Sequence, residues 1–247
     1  MSLKFGPNLT RNYSHNFSTP KRNKKKIKYI IIHYTGMRRE IDAIRKLCDS
    51  RSKVSSHYFI KNNGNILNLV PDLYEAWHAG ISSWQNLSSL NKYSIGIEIH
   101  NQGHDYGYKR FSSKQITSLL KLLSILKKKY NIKNRNILGH SDIAPNRKKD
   151  PGEKFPWKKV AQKKLCFWHN LNEKKIKRHR KSKIETNEKK AFINNLYKIG
   201  YCRIKKINLS KNNQLLTKAF QRRFRQELVD GKIDKECLLI SKNLLKS

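Results

Sequence analysis

The sequence predicts an α/β domain, a central sheet flanked by helices, followed by a small all-α domain of three helices. Three observations predict it. Short apolar runs at 27–33, 94–100 and 136–138 read as strands and are separated by stripes of apolar residues at helical spacing. Asn62-Asn63-Gly64-Asn65 stands between the apolar runs 57–61 and 66–70, the pattern of a β-hairpin. After Asn187 the strand signals stop and three helical stripes follow.

The 247 residues suffice for one medium domain and a small one. Lys and Arg number 55 against 17 Asp and Glu, a formal charge of +38. Such a charge suits nucleic acid, a polyanionic envelope or membrane surface, or a Lys-, Asn- and Ile-rich composition with no functional cause. The lysines are spread along the whole chain and no nucleic-acid motif accompanies them, so no nucleic-acid partner is predicted. Cys48, Cys166, Cys202 and Cys237 form no C-x-x-C pair, which excludes a zinc ribbon and a redox motif. No apolar run reaches transmembrane length. Residues 1–26 lack the apolar core of a signal peptide, which leaves a cytoplasmic placement open.

In order, residues 1–26 are polar and basic and read as an arm on a domain surface or as disorder. The run 27–33 is a buried strand, because its apolar residues are consecutive. Ile41, Ile44, Leu47 and Cys48 make a short amphipathic helix over 40–48. In 94–100, Ile95, Ile97 and Ile99 face one way, and Gly96, Glu98 and His100 the other. Ser112 and Gln115 are spaced as a capping box. The helix behind them carries Ile116, Leu119, Leu120, Leu123, Leu126 and Tyr130. A further helix is predicted over 157–168. Residues 169–187 are rich in Lys, Arg, Glu, Asn and Ser and read as a basic linker between the domain of 27–168 and a helical domain of 188–247.

The chemistry gathers around 140–152. His140 follows a short strand, and Pro145 and Pro151-Gly152 force a shaped loop that can return Asp150 to it. One imidazole and one carboxylate are two-thirds of a three-ligand catalytic zinc site. His33, at the end of Tyr29-Ile30-Ile31-Ile32, is the candidate third ligand. Zinc so held has a fourth position for water and lowers that water's pKa toward ~7. A hydrolase then needs a proton-transferring base, for which Glu98 is placed, and a cation for the developing oxyanion, for which Lys148 is placed. Each residue has a plainer alternative: a structural strand-end histidine, a turn aspartate, a surface carboxylate, one lysine among many.

Ile31-Ile32-His33-Tyr34-Thr35-Gly36-Met37 resembles the opening motif of the zinc-dependent N-acetylmuramoyl-L-alanine amidases, which include the AmpD- and AmiD-like enzymes and share the fold of peptidoglycan recognition proteins. Lys53 to Tyr58, Ala76-Trp77-His78-Ala79-Gly80 and Ser94 to Glu98 resemble the next motifs, and His140 to Trp157 the closing one. The resemblance spans about 27–165 and keeps the motif order. It implies a mixed central sheet, one zinc on His33, His140 and Asp150, Glu98 as base and acid, and Lys148 at the oxyanion. Trp77 and His78 would line the substrate groove. His57 is read as groove wall or core, and His100 as a rim histidine rather than a second metal site.

Residues 188–247 weakly resemble a three-helix peptidoglycan-binding module through Ile199-Gly200-Tyr201, Ala219-Phe220-Gln221 and Asp230-Gly231; a purely stabilising helical addition is the alternative. The function implied is hydrolysis of the amide between N-acetylmuramic acid and L-alanine in peptidoglycan or muropeptides. A non-catalytic peptidoglycan-binding protein on the same fold is the rival, weakened because every ligand position is filled. The wall-binding resemblance favours a cell-envelope location.

Overall fold

The computed structural model describes residues 13–246; residues 1–12 of the predicted arm, and Ser247, lie outside them. Along the chain come β1 (Phe17–Ser18), β2 (Tyr29–Tyr34), α1 (Glu40–Cys48), β3 (Tyr58–Ile60), β4 (Ile66–Asn68), β5 (Glu75–Ala76), β6 (Ser83–Trp84), β7 (Leu87–Ser88) and β8 (Ser94–Ile99). Then follow α2 (Ser113–Tyr130), β9 (Ile137–Gly139), α3 (His140–Ile143), α4 (Trp157–Gln162), α5 (Glu173–Lys177), α6 (Thr186–Ile199), α7 (Leu209–Phe224) and α8 (Lys235–Lys246).

Five strands form the central sheet in the order β4-β3-β8-β2-β9. β3, β8, β2 and β9 are parallel, and the hairpin strand β4 closes one edge antiparallel, so the sheet is mixed as expected. The parallel strands are buried on both faces, which is why β2 reads as an unbroken apolar run. On one face Ile30, Ile32, Ile95, Ile97 and Ile99 meet Ile116, Leu119, Leu122, Leu123 and Leu126 of α2. A fully buried leucine contributes roughly 1.5–3 kcal/mol. α2 starts as the capping box predicted: Ser112 Oγ accepts from Gln115 N–H and Gln115 Oε1 from Ser112 N–H. It ends at Asn131 in the left-handed region, φ 50°, after three lysines that suit its C-terminal dipole.

The other face carries Tyr29 and Ile31, and the C-terminal helices pack on it. Phe192, Leu196, Tyr201, Leu216 and Phe220 join Tyr29, Ile31, Leu138 and Ile143 in one continuous apolar cluster. Gly200 ends α6 at φ 137°, and a Cβ there would lie 2.5 Å from Trp84, so a glycine lets the two regions close. The basic segment expected as a linker is packed too. It contains α5, buries Ile176 and Ile184, and pairs Arg180 with Glu227 and Glu236. Composition misled because arginine stems and two isoleucines suffice to dock a charged segment.

The helix expected over 157–168 stops at Gln162. Lys164 adopts φ 56°, and Leu165 N–H returns to Val160 O at 3.2 Å, which drops Leu165 and Cys166 into the core. The described part of the arm is fastened, not free. β1 pairs with β5, Asn16 Nδ2 donates to Val54 O at 2.8 Å, and Arg22 donates to Asn91 O at 2.7 Å.

Candidate active site

Sheet register assembles the site at the C-terminal ends of the parallel strands, the usual ligand position in such sheets. His33 of β2 stands opposite Glu98 of β8, and Ile32 opposite Gly139, so His140 falls beside His33. The loop after α3 then returns: Ser141 N–H donates to Asp150 O at 2.8 Å, and Tyr108 O–H holds Pro151 O at 2.7 Å. Asp150 Oδ2 lies 3.0 Å from both His33 Nδ1 and His140 Nδ1, which are 2.9 Å apart. All three residues are buried. Among the described residues no other group of histidine, cysteine and carboxylate meets metal-ligand spacing.

The far sides of the rings fix the tautomers. His140 Nε2 is 3.0 Å from Ala79 O, a carbonyl that only accepts, so Nε2 carries the hydrogen and Nδ1 a lone pair. Ser94 Oγ donates to Leu90 O at 2.6 Å, so it accepts from His78 Nε2 at 3.2 Å. His78 Nδ1 is then the acceptor for His33 Nε2–H at 3.0 Å, which leaves His33 Nδ1 bare as well. Burial, with His140 adding to it, lowers the His33 pKa to about 4, so this ring is neutral at neutral pH. Asp150 Oδ2, 3.0 Å from both bare nitrogens, is the third acceptor atom. Three lone-pair atoms thus converge with no proton among them. That arrangement fits a divalent cation, and the two-nitrogen, one-oxygen donor set is one that zinc takes.

A cavity of about 480 Å³ opens over these atoms and is lined by Glu98, Trp77, His78 and Lys148, all expected there. Glu98 is half-buried, and its shielded Oε2 has no hydrogen-bond partner. Burial pushes its pKa up to about 8, Asp150 adds to the rise, and Lys148 opposes it. The Trp77 indole N–H donates to Ser18 Oγ of β1 at 2.9 Å, so the arm orients that wall. His78 both lines the cavity and holds His33. Gly96 makes room for it: a Cβ at 96 would lie 2.4 Å from His78 Cγ.

One expectation is settled between its alternatives and one is corrected. His57 takes the core place, not the groove wall. It is fully buried beneath His78, with ring centroids 5.6 Å apart, and its Nδ1 accepts from Gly96 N–H at 3.0 Å. Burial lowers its pKa to about 3, so it is a neutral packing histidine. His100 is not on the rim: it is 6% exposed, its Nδ1 lies 3.2 Å from Thr35 Oγ1, and it stands apart from the three-ligand group. Sequence reasoning missed Ser94, which anchors the His33–His78 chain. It also missed Arg147, whose guanidinium clamps the carbonyls of Ala79 (3.1 Å) and Ile81. A contact to a backbone carbonyl leaves no sequence signal, although Arg147 adjoins Lys148 on the loop.

The family model described as N-acetylmuramoyl-L-alanine amidase matches residues 23–153. Over 234 residues the chain is 33% identical to the N-acetylmuramoyl-L-alanine amidase AmiD of Escherichia coli K12, covering 90% of this chain and 83% of that one. It is 38% identical over 108 residues to the 1,6-anhydro-N-acetylmuramyl-L-alanine amidase AmpD of Haemophilus influenzae, covering 43% of this chain and 56% of that one. The solved complex of Escherichia coli AmiD with anhydro-N-acetylmuramic acid-L-Ala-D-γ-Glu-L-Lys superposes with a TM-score of 0.79 at 32% identity, over 93% of this chain and 92% of that one. Pseudomonas aeruginosa AmpDh3 with an anhydromuramic pentapeptide gives 0.78 at 28% identity, over 94% and 96%. With its motifs in order and three candidate ligand atoms in one buried cluster, this chain belongs to the N-acetylmuramoyl-L-alanine amidase family.

Proposed function

We propose that this cavity hydrolyses the amide between the lactyl group of N-acetylmuramic acid and L-alanine, with one zinc ion held by His33, His140 and Asp150. The observation that carries the reading is the set of three proton-free ligand atoms beneath Glu98 in one cavity. The muropeptides bound by the two related structures support the substrate class. Zinc bound there supplies Lewis acidity, polarising the carbonyl and acidifying a water.

The protein's own groups do the rest. Glu98 takes the proton of the attacking water and returns it to the departing alanine amine; a carboxyl whose pKa is raised by burial suits both transfers. Lys148 faces the carbonyl oxygen as charge builds on it. Trp77 and His78 form a wall for the substrate, and Lys46, Arg147 and Lys149 at the cavity draw in the stem-peptide carboxylates. Mass spectrometry of digested sacculi and of a soluble muramyl tripeptide tests the reading. The expected product is a stem peptide with a free L-alanine amine. A cut at another bond, or no turnover by zinc-loaded protein, overturns it, the latter in favour of a binding protein.

A second site is proposed on the helical region. A groove of about 1330 Å³ runs between the starts of α6 and α7 and the turn before α8, lined by Lys181, Lys183, Lys189, Lys211 and Lys232 against Glu185 and two aspartates, Asp230 and Asp234, that are paired with Arg225. Its charge suits an anionic polymer such as the wall, and this favours work at the cell envelope. No described helix is long and apolar enough to cross a membrane. Lys211→Glu with Lys232→Glu should weaken pelleting with sacculi and spare turnover of the soluble tripeptide. Unchanged pelleting sinks the wall-binding reading.

A further inference from the structure

Asp142 stands two residues after His140 on α3 and is 1% exposed. A carboxylate so buried needs partners for both oxygens. Oδ2 accepts from Gly139 N–H at 2.8 Å and from Arg223 Nη1 at 2.6 Å. Oδ1 accepts from the Tyr201 hydroxyl at 2.8 Å. Only the Gly139 bond is local. Arg223 comes from α7, 81 residues away, and Tyr201 from the turn after α6.

Arg223 is 3% exposed, and its second amino group donates to Ile137 O at 2.9 Å. Its guanidinium carbon lies 4.5 Å from the centroid of the Trp157 ring, so the planar group is wedged as well as bonded. Ile137 and Gly139 are the two ends of β9, and Asp142 belongs to the helical turn that follows. One buried ion pair therefore grips the strand, the turn and the single-turn helix that begins with His140.

That helix cannot hold itself. Four residues close one helical hydrogen bond, Ala144 N–H to His140 O at 3.0 Å, and an isolated turn of that size is unstable. The ring of His140 must nevertheless point Nε2–H at Ala79 O and its bare Nδ1 into the cluster beside Asp150 Oδ2. Groups that orient a metal ligand from behind tune affinity as much as they tune structure.

We infer that Arg223 and Tyr201 are positioning residues for the metal ligand His140, acting through Asp142, so that the helical region completes the metal site instead of being a detachable attachment module. The inference rests on the zinc reading of His33, His140 and Asp150. It is compatible with polymer binding in the groove between α6 and α7, because the two use different faces of the region.

The test uses the full chain and reads zinc affinity by competition with a chromogenic chelator, together with the visible spectrum of the cobalt-substituted protein. Circular dichroism reports folding. Arg223→Met should lower zinc affinity by roughly 10–100-fold and broaden or shift the cobalt bands. Arg223→Lys should recover part of the loss, since an ammonium reaches one of the two acceptors but lacks the planar fork. Tyr201→Phe removes one hydroxyl, leaves the packing, and should lower affinity by roughly 3–10-fold. Arg225→Met is the control. It breaks a buried ion pair with Asp230 and Asp234 inside the helical region, away from His140, and should leave zinc affinity and the cobalt spectrum of the folded protein unchanged.

Wild-type affinity and spectrum in folded Arg223→Met, or an equal loss in Arg225→Met, overturn the inference. Should Arg223→Met fail to fold, Tyr201→Phe decides by the same readouts. A wild-type chain that takes up no zinc refutes the underlying site reading instead, which is a distinct result.

Discussion

The two faces of the central sheet are built from alternate residues of the same strands, yet they behave as different materials. On one, Ile30, Ile32, Ile95, Ile97 and Ile99 meet the leucines of α2. On the other, Tyr29, Ile31 and His33 of β2 lie beside Ser94, Gly96 and Glu98 of β8. That face is apolar where the C-terminal helices cover it and turns to imidazole and carboxylate at the strand ends. Burial alone stabilises the first face. The second relies on partners for its buried polar atoms, as in the chain His33–His78–Ser94–Leu90, and leaves Oε2 of Glu98 without one at the cavity. Substitutions on the first face should therefore change stability, and those on the second should change chemistry out of proportion to stability.

The most severe test of that contrast is His140→Ala. With one of three ligands gone, zinc should fall from about one equivalent to a trace by elemental analysis, and turnover should vanish with it. A metal-free wild type with full activity would break the comparison at its root.

Glu98→Gln comes next. Zinc should stay bound while kcat drops by ~10²-fold or more, because the ligands remain and proton transfer fails. Near-normal turnover removes Glu98 from the base role. The same variant has a stability signature in the metal-free protein. Glu98 has a folded pKa of about 8, above the ordinary 4.5 of a glutamate. The folded chain therefore binds the extra proton between those values, and stability is lost as pH rises from 4.5 toward 8. Gln removes that loss, so the apoprotein variant should melt above the wild type at pH 8 and close to it at pH 5. Equal melting temperatures at pH 8 contradict the buried placement of the carboxyl.

On the apolar face, Leu119→Ala should cost about 2–5 kcal/mol of unfolding free energy by denaturant titration. Turnover per folded molecule should stay unchanged. A loss of kcat in the folded fraction would mean that the α2 face also shapes the site.

What the sequence revealed follows from the same contrast. β2, β8, the hairpin, α1 and α2 are local patterns of period 2 or 3.6, with a capping box and an Asn-Gly turn to bound them, and they were legible. The two-residue strands β1 and β5 exist because distant segments pair, and β6 and β7 form a hairpin around Gln85-Asn86 too short to show a period, so no local pattern marks any of them. The three candidate ligands were legible because a strand end and a Pro-bounded loop carry them in short motifs. That His78 also holds His33, and which of its two places His57 takes, were not, since both depend on Gly96 and Ser94 across the sheet. Arg223 could not be singled out among 55 Lys and Arg, because what distinguishes it is burial against Asp142. Composition also hid the docking of 169–187, where Ile176 and Ile184 are the apolar anchors.

The smallest predicted effect separates two roles for Lys148. The ammonium stabilises the Glu98 carboxylate through space, opposing the rise caused by burial and Asp150. Removing it in Lys148→Met therefore raises the Glu98 pKa further. The productive enzyme needs the carboxylate, so the acid limb of the kcat profile should move to higher pH. Loss of the oxyanion contact should lower kcat at every pH with little change in KM, because that charge exists only in the transition state. A full pH–rate profile reads both. A uniform drop with no movement of the limb leaves Lys148 acting on the oxyanion alone. A shifted limb with an undiminished plateau makes it a tuner of Glu98 instead. A change confined to KM assigns it to substrate binding, and the polar end of the sheet would then hold one fewer group that acts on the transition state.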